Sequence, residues 1–189
     1  MKAQQSLEAL VGHAIAFGVK DTSDVVLFDP RFILWSGSSK PEQHHYGKGG
    51  LVIHTAEVVD LALRNNAFFP PEKQVDRKHL FLAALFHDAG KMWDYKPVVE
   101  GYYDSWTSTV HKRQIHHISR SGLVWSKAHD QHRPEGVVHD DVLHAILAHH
   151  GQRDWGSPVS PNTRLAIMLH LCDNMSARMD DIDKIDRHS

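Results

Sequence analysis

The sequence predicts an all-α protein, a helical bundle with a possible short β-hairpin. Three observations point there. Apolar residues recur at helical spacing in successive segments along the chain. Glycine and proline punctuate the gaps between those segments. The run Leu80 to Phe86 is apolar on nearly every face, the mark of a helix buried on all sides. No internal repeat or linker divides the 189 residues, so a single domain with a sizeable core is expected.

Leu7, Leu10, Val11, Ala14, Ile15 and Phe17 form the stripe of an N-terminal amphipathic helix. Val25-Val26-Leu27-Phe28 and Phe32-Ile33-Leu34-Trp35 read as two β-like runs. The turn signal Asp29-Pro30 separates them, giving a hairpin or an extended apolar arm. Residues 1–40 are therefore an N-terminal helix and arm packed on a main domain spanning 41–183, with a charged tail at 184–189. Gly49-Gly50 opens a helix to about Asn66, and Pro70-Pro71 closes that region. Asp76 is placed to cap the next helix, which runs through Leu80 to Gly90. Gly90 reads as a left-handed helix stop, with His87 and Asp88 in the last turn at the rim of the core. Met92 to Thr109 is aromatic and irregular, with Gly101 as a hairpin turn. A helix follows from about Val110 to Lys127, and another from Val137 to His150, stopped by Gly151. After a rigid loop at 156–161, Asn162 or Thr163 caps a last helix reaching about Asp181.

Net charge is −2 with histidine neutral, so no global basic field draws in nucleic acid. No apolar run approaches the ~20 residues that span a bilayer, and no membrane association is expected. The N-terminus lacks the apolar stretch of a signal peptide. The single cysteine, Cys172, allows neither an internal disulfide nor a thiolate cluster. A reducing cytoplasm is the expected compartment. The 17 histidines are far more than ordinary usage, and they are spread from His13 to His188.

Several of these histidines stand in apolar helical settings. His54 is flanked by Val52, Ile53, Val58 and Leu61. His87-Asp88 ends the buried run, and Lys91 follows it. His116-His117 lies between Ile115 and Ile118, and His149-His150 follows Ala145-Ile146-Leu147-Ala148. Asp173 sits mid-helix within Leu169-His170-Leu171-Cys172-Asp173-Asn174-Met175. A carboxylate there is costly to bury unless it is paired or metal-bound. Imidazole and carboxylate without thiolate suit manganese, iron, nickel or zinc. The other His-Asp pairs, His129-Asp130 and His139-Asp140, lie in polar surroundings and read as solvated.

The order His54, His87-Asp88, Asp173 resembles the HD phosphohydrolase superfamily of helical, metal-dependent enzymes. The segments His44 to Thr55, Leu143 to Gly151, Trp155 to Val159 and Leu169 to Met179 are similar to the HD domain of YhaM-type 3′-5′ exoribonucleases. The resemblance covers about His44 to Met179. Those exoribonucleases carry an OB-fold ahead of the HD domain. The roughly forty residues before His44 are too few for one, and the aromatic stretch Trp93 to Ser108 has no counterpart known in them.

The resemblance implies a divalent transition-metal site, with two ions favoured in a superfamily whose members hold two, one or none. His54, His87, Asp88 and Asp173 would hold the first ion. Asp88 would bridge to a second, completed by His117 and His149, with His150 a further candidate. Asp88 and Lys91 are then the catalytic pair. Lys91, His45 and Lys48 are candidate substrate contacts, with His44 and Tyr46 near the entrance. The implied activity is hydrolysis of phosphodiester bonds in nucleic acid or oligonucleotides, as in a 3′-5′ exonuclease. The alternatives are a nucleotide phosphohydrolase acting on nucleoside mono- or triphosphates or cyclic nucleotides, and a non-catalytic nucleotide-binding HD module. Lys112, Arg113 and Arg120 add positive charge that could track a phosphate backbone or form a solvated face.

Overall fold

The structure, a computed structural model, describes residues 2–186, with side chains through Ile182. In chain order it contains α1 (Ala3–Ala16), α2 (Lys20–Leu27), α3 (Gly50–Phe68), α4 (Arg77–Phe86) and a short α5 (Lys91–Asp94). The hairpin β1 (Tyr95–Val99) and β2 (Tyr102–Ser108) follows. A short α6 (Val110–Gln114), α7 (His117–His132), α8 (His139–Ala148) and α9 (Arg164–Asp186) complete the chain. Among the described residues, no helix is long and apolar enough to cross a membrane.

The bundle is built around α4. Every residue from Leu80 to Phe86 is fully buried, against α3, α7, α8 and α9. Full burial of each large apolar side chain contributes roughly 1.5–3 kcal/mol, so α4 is firmly anchored in the core. Asp76 caps it, its Oδ1 accepting from the Lys78 and His79 amides at 2.9 Å each. The N-terminal segment shares this core. Leu10, Ala14, Val26, Leu27 and Phe32 are buried in one cluster with Val59 and Phe81.

Four local expectations are corrected or sharpened. The run Val25 to Phe28 is not a strand. Its first three residues end α2, where Val26 and Leu27 turn one face into the core. Ser23 Oγ donates to the Val19 carbonyl at 2.8 Å, and burial overrides the β preference of paired valines. Phe32 to Leu34 is likewise turn, and Trp35 is irregular.

Gly90 is not left-handed, since its φ is −63°. Its need for glycine is steric. A Cβ there would lie 2.2 Å from the His117 carbonyl oxygen. The helix expected over 110–127 is broken at His116, whose φ of +69° ends α6 and restarts the chain as α7. The hairpin does form, pairing Tyr95 with Ser108 and turning at Gly101, where φ is +82°.

Candidate metal centre

Four helices and the loop after α4 converge on Asp88. His87 caps the C-terminus of α4 and donates from Nδ1 to the Ala84 carbonyl at 2.7 Å. His149 does the same after α8, to the Ile146 carbonyl at 2.6 Å. His117 opens α7. Its Nδ1 and its backbone amide each lie 3.0 Å from Oδ2 of Asp94. That one carboxylate both caps α7 from outside and orients the imidazole. His54 on α3 is set by a relay. Glu57 can only accept, so Ser176 donates to it at 2.9 Å and in turn accepts from His54 Nδ1 at 3.0 Å. In all four rings Nδ1 is engaged, and Nε2 turns to the interior, where its lone pair would be available to a bound ion.

Those lone pairs face one another and two carboxylates. His54 Nε2 and His87 Nε2 are 3.4 Å apart, and each is 3.4 Å from Oδ2 of Asp88. Oδ1 of Asp173 lies 3.0 Å from the first and 3.6 Å from the second. On the other side of the same carboxylate, Asp88 Oδ1 is 3.6 Å from His117 Nε2 and 3.7 Å from His149 Nε2. His150 Nε2 is 3.3 Å from His117 Nε2, while its Nδ1 donates to the Trp155 carbonyl at 2.6 Å. Neither Asp88 oxygen receives a directed hydrogen bond, nor does the buried His149 Nε2 have a partner. The nearest cation to Asp88 is Lys91, whose Nζ lies 2.6 Å from Oδ2.

Imidazole nitrogens opposed to carboxylates need a cation between them, a proton on His87 in the metal-free protein or a metal ion. The donor set fits a divalent transition metal. His54, His87, Asp88 and Asp173 form one group of potential ligand atoms, all within 4.8 Å of one another. His117, His149 and His150 form a second, equally tight.

The protonation preferences express the same demand. Burial opposes charge on His87, but Asp88 and Asp173 outweigh it and push its pKa up to about 10. Burial disfavours the Asp88 carboxylate, yet Lys91 and His87 hold it ionised well below the usual range. Burial acts on Lys91 in the downward direction, and Asp88 more than reverses it. His117 is pushed down to about 4 by burial, against the pull of Asp94, which keeps the ring neutral.

A cleft of about 250 Å³ opens onto this centre, lined by Lys91, His149 and Asp173 from the ligand side and by His44, His170, Asn174 and Arg178 around them. Of the candidate substrate contacts, Lys91 lies in the cleft. His45 is buried beside it, with Nε2 2.8 Å from Glu57. Lys48 lies off the cleft, its ammonium 5.7 Å from the Tyr103 ring centroid. The adjacent His44 takes the wall position. Arg178, which follows Asp173 by five residues and so reads from sequence as a surface or ion-pair residue on another helical face, also lines the cleft. Asp94 was not singled out in the sequence, because it follows Trp93 in a short irregular stretch with no helical period to read. Its one signal was an acid near an aromatic cluster beside the His87-Asp88 segment.

The sequence profile of the family described as HD domain matches residues 51–178. Among curated proteins, the 3′-5′ exoribonuclease YhaM of Bacillus subtilis (strain 168) is 31% identical over 143 residues, covering 76% of this chain and 43% of that protein. The 3′-5′ exoribonuclease YhaM of Bacillus pumilus (strain SAFR-032) is 31% identical over 150 residues, covering 78% and 44%. The chain thus spans less than half the length of these relatives. No solved structure matches the chain significantly.

Proposed function

The chain belongs to the HD domain family, and on that premise we propose that it is a metal-dependent phosphohydrolase cleaving phosphodiester bonds of single-stranded nucleic acid or oligonucleotides as a 3′-5′ exonuclease. The observation that carries this reading is the two-sided placement of the buried Asp88, with one oxygen toward His54 and His87 and the other toward His117 and His149. Likeness to the YhaM exoribonucleases supports the substrate class. Two divalent ions, manganese, iron, nickel or zinc, would be held there, one by His54, His87, Asp88 and Asp173 and the other by Asp88, His117 and His149, supplying Lewis acidity to the phosphoryl oxygens and the attacking water.

The reaction adds a water oxygen to phosphorus, breaks the P–O3′ bond and returns a proton to the departing 3′ oxygen. Lys91 is a fixed positive charge in the cleft and neutralises a non-bridging phosphoryl oxygen. Arg178 and Asn174 on the α9 wall grip the terminal nucleotide. His170 is anchored through Nδ1 to the His149 carbonyl at 2.7 Å, and its ring packs where only a glycine at 151 leaves room.

A second reading, hydrolysis of free nucleotides, draws support from the cleft volume, at the small end for ligand pockets. A 5′-labelled oligonucleotide incubated with each metal ion separates the two. The exonuclease reading expects a ladder of single-nucleotide steps and release of nucleoside 5′-monophosphates. Turnover of mononucleotides alone sinks it.

A further inference from the structure

Four of the five tryptophans are taken up by the fold. Trp125 and Trp106 are buried. Trp35 packs edge-on against Trp106, with 5.3 Å between ring centroids, and its Nε1 donates to the Tyr95 carbonyl at 2.9 Å. Trp93 lies under two guanidinium groups, Arg31 at 4.2 Å and Arg120 at 5.3 Å from its centroid. Trp155 is the exception. It is half exposed, on the single turn Arg153–Trp155 between α8 and α9. A lone exposed ring means little by itself, and its position is what matters.

The loop that carries Trp155 is fastened to the histidines of the metal centre. The Trp155 carbonyl accepts from Nδ1 of His150 at 2.6 Å. The His150 amide in turn donates to Ser157 Oγ at 3.1 Å. A Cβ at Gly156 would lie 3.7 Å from His116 Cε1 and 3.8 Å from His150 Nδ1, so the backbone passes in contact with both rings. Within the loop, the amides of Trp155 and Ser157 both donate to the Gln152 carbonyl, at 3.1 and 3.2 Å. The indole stands 6.4 Å from the His170 ring, centroid to centroid, with 37° between the planes. His150 and His170 both line the cleft on the metal centre. Trp155 therefore extends the His170 wall of that cleft outward, on a backbone that His150 holds in place. A nucleobase matches such a flat apolar face, and every base has a π-face to offer it.

We propose that Trp155 is a stacking platform for the base of the 3′-terminal nucleotide while the phosphate of that nucleotide sits at the metal centre. The site then selects a phosphodiester with a base beside the scissile bond, whichever base it is. This rests on the phosphodiesterase reading and adds the side of the cleft on which the terminal nucleoside lies, over the turn at 153–155.

The test compares two tetranucleotides, one ending at its 3′ side in thymidine and the other in an abasic tetrahydrofuran residue. Wild type should favour the first about tenfold in kcat/KM, through KM, as one aromatic stack on a base provides. Trp155→Ala leaves the backbone carbonyl that holds His150 and should bring the two substrates within about twofold. Trp155→Phe keeps a ring and should restore most of the preference. Asp154→Ala on the same turn should match wild type. A wild type that treats the two substrates alike overturns the proposal, and so does a Trp155→Ala variant that keeps the preference. If the wild type hydrolyses neither, the phosphodiesterase reading fails on its own. Fluorescence anisotropy of the two labelled tetranucleotides reads the same preference without turnover. There, equal affinities in wild type, or a difference that survives Trp155→Ala, overturn the platform.

Discussion

Asp94 decides which nitrogen of His117 faces the centre. Its Oδ2 takes the Nδ1 proton, and its Oδ1 lies 2.7 Å from His111 Nδ1. Replacing it by asparagine keeps the shape and removes the charge. Metal affinity of Asp94→Asn should fall about 10- to 100-fold, measured by chelator competition, with the far-UV circular dichroism spectrum unchanged. The same centre sets a pH profile for the metal-free protein. His87 rises to about 10, so its proton stabilises the fold fully below pH ~6.5, and that contribution is lost as pH climbs through 10. His117 falls to about 4, so its neutral ring stabilises above pH ~6.5, and that contribution is lost as pH drops toward 4. Thermal melts of the metal-free protein should therefore decline on both sides of neutrality, and His87→Ala should flatten the alkaline side. A wild-type melting temperature that climbs steadily from pH 7 to 10 would contradict the assignment. The six residues singled out as ligands were legible because each interrupts an apolar helical stretch. Asp94 was not, since a short helix has no period against which a polar residue stands out, and His44 was expected near the entrance only from the family resemblance.

The helices themselves were readable where an apolar stripe ran on past a good cap. Asp76 is the clearest case, and Asp76→Ala should cost about 1 kcal/mol, or roughly 2–4 °C in melting temperature, without changing metal content. Boundaries set by tertiary contacts were not readable. The break at His116 arises because Asp94, distant in sequence, caps His117 and draws α7 inward. The valines of α2 are helical because the core takes Val26 and Leu27. At Gly90 the sequence suggested a backbone conformation, and the structure supplies a packing reason. The approach of α7 to the loop after α4 leaves no room for a Cβ against the His117 carbonyl, and Ser121 Oγ accepts the Gly90 amide at 2.9 Å. Gly90→Ala should therefore push α7 away and cost about 1–3 kcal/mol, with weaker metal binding, by denaturant titration and chelator competition. Normal stability and metal content in that variant would show that the two segments are not locked together.

At the scale of the whole molecule, a buried apolar helix brings His87 and Asp88 to one point, and four surrounding helices, α3, α7, α8 and α9, bring the other candidate ligands to opposite sides of Asp88. The all-α architecture and the hairpin at Gly101 could be expected from sequence, because periodicity and glycine placement are local properties. Which face of Asp88 each histidine would occupy is a property of packing, and in the sequence it could be expected only through the family resemblance. The central claim is that Asp88 bridges two ions. Anomalous scattering from crystals grown with manganese tests it directly. The account predicts two peaks, one between His54, His87 and Asp173 and one between His117 and His149, with Asp88 contacting both. A single peak, or none within reach of Asp88, would contradict it.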